Sequence, residues 1–73
     1  MTQQQETEKQ YLIEQLILEI SMMLIADYKI PMQQALDLIY QSKTFAKIED
    51  PNTGLYYQGA VYVYQFLKEE INN

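Results

Sequence analysis

The chain has 73 residues, 5 lysines against 10 acidic side chains, a net charge of −5, 48% hydrophobic residues, and no arginine, cysteine or histidine. Disulfides and thiolate or imidazole metal sites are therefore excluded. Lys9, Lys29, Lys43, Lys47 and Lys68 are scattered, whereas neutralising a phosphate backbone needs clustered cations, so no nucleic acid is expected as a partner.

This is the length of one small domain. Such a chain buries only about 60% of its unfolded surface, so it relies on good helix packing or on oligomerisation for stability. Residues 1–7 are polar and are expected to fray, leaving 8–73 as a single helical domain. The amino terminus lacks a basic stretch followed by an apolar one, which makes the cytoplasm the expected location.

Residues 8–28 contain neither Gly nor Pro, and a first helix is expected from Thr7 or Glu8 to Tyr28 or Lys29. At ~100° per residue, Ile13, Leu16, Ile17, Ile20, Met23 and Leu24 form one stripe of ordinary core width. Tyr11, Leu18, Met22 and Ile25 form a second, about 150° away. Glu14 and Ser21 separate the stripes on one side, and Gln15, Glu19 and Ala26 on the other. Either the rest of the domain wraps both faces, or the second stripe meets another molecule, with a homodimer or a partner protein as the occupant. A membrane span is not expected, because the apolar run Leu16–Ala26 is too short and contains Glu19.

Pro31 suits the first turn of a second helix over 31–42, with Met32, Ala35, Leu36 and Ile39 at core spacing and Tyr40 at the edge. Ser42 is placed to cap a short helix, Lys43–Glu49, anchored by Phe45 and Ile48. Asp50-Pro51-Asn52-Thr53-Gly54 reads as a turn. A hairpin near 44–58 is the alternative, since Leu55-Tyr56-Tyr57-Gln58 has strand propensity. Residues 60–71 repeat with helical spacing and are expected to form a helix, with 55–58 extended. The fold expected is all-α, with three main helices and one short one.

From Ile30 onward the chain carries Ala35-Leu-Asp-Leu-Ile-Tyr, Ser42-Lys-Thr, Thr53-Gly-Leu-Tyr and Leu67-Lys-Glu-Glu. This pattern resembles a group of short uncharacterised bacterial proteins, over about two thirds of the chain. Similar small proteins sit in gene clusters with ADP-ribosyltransferase-like toxins. The resemblance therefore implies an antitoxin or accessory role and supplies no catalytic residues. Pro31 and Gly59 stand where that pattern would have small hydroxyl caps.

No enzyme is expected. Without His or Cys, neither a paired-carboxylate site nor a phosphate loop is evident, and no catalytic, cofactor or metal residues are assigned. Ser42-Lys43-Thr44 offers backbone N–H groups at a helix start, where an anion can bind, although a plain cap is the simpler reading. Seven tyrosines exceed what a small core can bury with satisfied hydroxyls. Tyr62 and Tyr64 lie ~200° apart on a helix, so at least one should leave the core. The expected interaction surface is Tyr11, Leu18, Met22, Ile25, Tyr62 and Tyr64. The function expected is a non-enzymatic protein–protein interaction module, and the alternative is a small nucleic-acid-associated regulator.

Overall fold

The computed structural model describes the backbone of residues 2–72 and the side chains of residues 8–72. Among these, four α-helices follow one another: α1 (Thr2–Tyr28), α2 (Met32–Gln41), α3 (Lys43–Glu49) and α4 (Ala60–Asn72), with a 3-10 turn at Leu55–Tyr57 before α4. The architecture is a small all-α bundle. Helix α1 begins earlier than the expected Thr7 or Glu8, because Gln and Glu propagate a helix well and nothing in 2–7 breaks it. The segment expected to fray is thus helical in its backbone from Thr2, while its side chains lie outside the described residues.

Helix α1 stops by a left-handed turn. Lys29 has φ 56°, and its N–H donates to the Ile25 carbonyl at 3.0 Å. This conformation is costly for a residue with a Cβ. It is held because Pro31 disfavours helical geometry at Ile30, and Ile30 packs against the core. Pro31 precedes α2 without a side-chain cap, and its carbonyl accepts the Ala35 N–H at 3.0 Å.

A single residue, Ser42, turns the corner from α2 to α3. Its hydroxyl donates to the Ile39 carbonyl at 2.6 Å and accepts the Phe45 N–H at 3.0 Å. Behind α3, Asp50 accepts the Asn52 N–H at 2.9 Å, and the Thr53 hydroxyl accepts the Leu55 N–H at 3.1 Å. Gly54 completes the turn at φ 64°, a conformation that glycine adopts without penalty.

The hairpin alternative near 44–58 does not form. Residues 44–48 are within α3, and the segment expected to be extended, 55–58, holds the 3-10 turn. The strand propensity of Leu55-Tyr56-Tyr57 is overridden because Leu55 must reach the core one step after a left-handed glycine.

The core is built from Leu16, Ile17, Ile20 and Leu24 of α1, Ala35 and Ile39 of α2, Ile48 of α3, Leu55, and Val63, Tyr64 and Leu67 of α4. Helix α1 packs against α2, α4 and the 3-10 turn, and α3 packs against that turn and α4. The molecule measures 41 × 21 × 19 Å. Its long dimension is that of α1, about 40 Å at 1.5 Å per residue. Among the described residues, the buried ones of α1 lie between Leu16 and Leu24.

Two expectations about the core need correction. Met32 is 40% exposed, since it starts α2 at the rim and Ala35 and Ile39 carry the contact. Ser21, expected as a polar divider, is completely buried. It fits there because its hydroxyl is satisfied locally, donating to the Leu18 carbonyl at 2.7 Å.

Candidate functional site

The outer face of α1 stays in water. Tyr11, Leu18 and Met22 are 60%, 47% and 59% exposed, and Leu12 extends the apolar surface at 40%. Ile25, the fourth residue of the stripe, is half-buried and packs against the core, so the stripe dips into the body at its carboxyl-terminal end. Helix α4 does not cover this face. Its inward residues, Val63, Tyr64 and Leu67, join the same core as Leu16, Ile17, Ile20 and Leu24.

The two α4 tyrosines expected at the surface part company. Tyr62 is half exposed. It stacks edge-on against Phe66 at 5.2 Å, and Lys47 of α3 lies over that Phe66 ring at 5.8 Å. These contacts put Tyr62 on the α3 side of α4.

Tyr64 is a correction. It is buried, and its hydroxyl donates to Asp27 Oδ2 at 2.6 Å. Burial, and then the Asp27 carboxylate, push its pKa well above the ordinary tyrosine value. The phenol is buried because it brings its own acceptor, which a helix wheel for α4 alone does not show. Tyr64 thus ties α4 to the end of α1 and takes no part in the outer surface.

Sequence reasoning also left the Ser42-Lys43-Thr44 helix start without its occupant. The occupant is the chain's own Glu70. Its carboxylate accepts the Lys43 N–H at 2.7 Å, the Thr44 N–H at 3.0 Å and the Thr44 hydroxyl at 2.9 Å. Burial alone would raise the Glu70 pKa, but the bonds from Lys43 and Thr44 outweigh it and lower the value below the usual carboxylate range. Both halves of this clamp lie in the sequence pattern quoted above. An anion site at a helix start and an acidic pair on a later helix were a legible pairing signal. The arrangement is a structural latch between α3 and α4, already filled.

Among the described residues, no group of three or more acidic side chains is placed to hold a metal ion, and no helix is long and apolar enough to cross a membrane. No protein-family model, curated protein or solved structure matches the chain. The resemblance to short bacterial proteins therefore rests on the sequence motifs alone.

Proposed function

We propose that this protein is a non-enzymatic protein–protein interaction module of the cytoplasm that works through the outer face of α1, in an antitoxin-like or accessory role. One observation carries the reading. Helix α1 leaves Tyr11, Leu18 and Met22 in water while Leu16, Ile17, Ile20 and Leu24 on its opposite face are buried in the core. Contiguous exposed apolar surface on a small domain marks a binding face. Tyrosine and methionine suit such a face, being enriched at interfaces. The antitoxin-like role is what the sequence resemblance adds.

The test is a paired capture experiment. The wild-type chain and the Leu18→Lys/Met22→Lys variant are immobilised and exposed to lysate of the source cells. The wild type is expected to retain a partner that the variant releases, with both chains folded by circular dichroism. Equal retention by both, or no retention by either, overturns the reading.

A further inference from the structure

The outer face of α1 has a finer order than a simple apolar line. Tyr11, Gln15, Leu18, Met22 and Ile25 follow one another at steps of four, three, four and three. That is the spacing of a coiled-coil seam, with one polar position inside it. Gln15 is exposed with its neighbours. The seam is flanked by the exposed Leu12, Glu19 and Ala26 on one side and by Glu14 on the other, where Ser21 is buried in the body of the domain and Tyr28 is half-buried. Continuing the same spacing, Glu8 lies at its start and Lys29 just beyond its end.

We propose that this seam docks on the same seam of a second copy of the chain, with the two α1 helices antiparallel. The proposal rests on the reading of the outer α1 face as an interaction surface, and names its occupant and geometry. Charge decides the direction. A parallel pair stacks Glu8 on Glu8 and Gln15 on Gln15, and sets Glu14 of each chain against Glu19 of the other, with like charges meeting on both flanks. An antiparallel pair places Tyr11 opposite Met22 of the second copy and Gln15 opposite Leu18 of the second copy. Glu19 then faces Leu12, and the position across from Glu14 is that of Ser21, which is buried in its own domain, so no acidic side chain meets another. In this register Glu8 lies opposite Ile25 of the second copy, about one turn from that copy's Lys29, and the two helix dipoles are opposed. A face with acid at one end and a cation at the other is complementary to itself only when turned around.

The seam from Tyr11 to Ile25 is about 21 Å long. So short a contact is weaker than a standard interface of two full domain faces, and the dimer is expected to dissociate in the micromolar range.

The chain has no cysteine, so introduced thiols report on the geometry without background. Tyr11→Cys and Met22→Cys variants are made separately, one with a mass tag, at positions that are both mostly exposed. They are mixed at high micromolar concentration and oxidised, after circular dichroism has verified that each is folded. Light scattering on the wild type at the same concentration gives the oligomeric state. A wild-type dimer and a mixed Tyr11→Cys with Met22→Cys disulfide, in at least several-fold excess over either self-disulfide, is the expected result. Self-disulfides of each variant in excess would mean parallel helices and overturn the proposal. A dimer with no disulfide of either kind would place the contact elsewhere and also overturn it. A strict monomer overturns the second copy as occupant, while the paired capture experiment still decides whether this face binds another protein.

Discussion

Glu70 of α4 and Thr44 of α3 are joined twice, the carboxylate accepting both the Thr44 N–H at 3.0 Å and the Thr44 hydroxyl at 2.9 Å. A third bond, from the Lys43 N–H at 2.7 Å, completes the latch. Helix α3 has seven residues, too few to be stable alone. Its first-turn N–H groups need acceptors, and a side chain from α4 supplies what the α3 sequence does not.

Removing the latch should therefore cost more than a surface carboxylate normally does. Glu70→Ala is expected to destabilise the protein by about 1–3 kcal/mol, near the lower end because water reaches the site. In a domain of this size that is a loss of roughly 4–8 °C in Tm per kcal/mol. Thermal melts of the wild type and Glu70→Ala check it, and unchanged melting would show that the three bonds contribute nothing.

The same latch makes stability pH-dependent in acid. The Glu70 pKa is lowered in the folded state, so its contribution is present above the ordinary glutamate value and is lost as pH falls through the lowered one. Denaturant titrations at neutral pH and near pH 3 should show a larger loss for the wild type than for Glu70→Gln. Parallel losses in the two proteins would rule out the latch as the cause.

Tyr64 gives the mirror image at alkaline pH. Its folded-state pKa is raised by burial and by Asp27. The stability that the protonated phenol contributes is therefore present below the ordinary tyrosine value of about 10 and is lost as pH rises beyond it. Tyr64→Phe is expected to lose about 0.5–1.5 kcal/mol at neutral pH, and the gap between variant and wild type should narrow above pH ~10. A gap that is constant across this range would contradict the assignment.

At the turn before the 3-10 segment, Gly54→Ala forces a Cβ into a left-handed residue. That Cβ would also sit 2.7 Å from the Tyr57 hydroxyl. Tyr57 is 64% exposed and can swing aside, so backbone strain decides the loss, about 1–2 kcal/mol. Gly54→Asn should lose less, since asparagine visits this region more readily. Urea midpoints of the three proteins rank them, and an alanine variant as stable as the wild type would refute the strain.

The two faces of α1 should respond oppositely to substitution. Leu24 is fully buried, and Leu24→Ala is expected to cost about 2–5 kcal/mol, enough to unfold much of so small a domain. Leu18→Lys, on the outer face, should leave a folded protein with a helical circular dichroism spectrum. An unfolded Leu18→Lys would place that face inside a core.

Local pattern determined much of this architecture. The apolar spacing along α1 marks the residues that become its buried stripe, since one helix wheel suffices when the partner elements are each apolar on one side. Ser42 announces the start of α3 and Gly54 the start of the 3-10 turn through their own chemistry, a hydroxyl cap and a left-handed backbone. The outer line Tyr11, Leu18 and Met22 is likewise visible from spacing alone. Only the tertiary structure decided that α2, α4 and the 3-10 turn cover the first stripe and leave Tyr11, Leu18 and Met22 of the second bare, because a wheel shows that two faces are apolar but not which neighbour arrives. The fate of Tyr64 was decided the same way, since a buried phenol is admissible only where an acceptor such as Asp27 waits on another helix. The helix start at Ser42-Lys43-Thr44 was readable as an anion site. That the anion is Glu70, 26 residues from Thr44, depends on how the chain folds back to bring α4 beside α3.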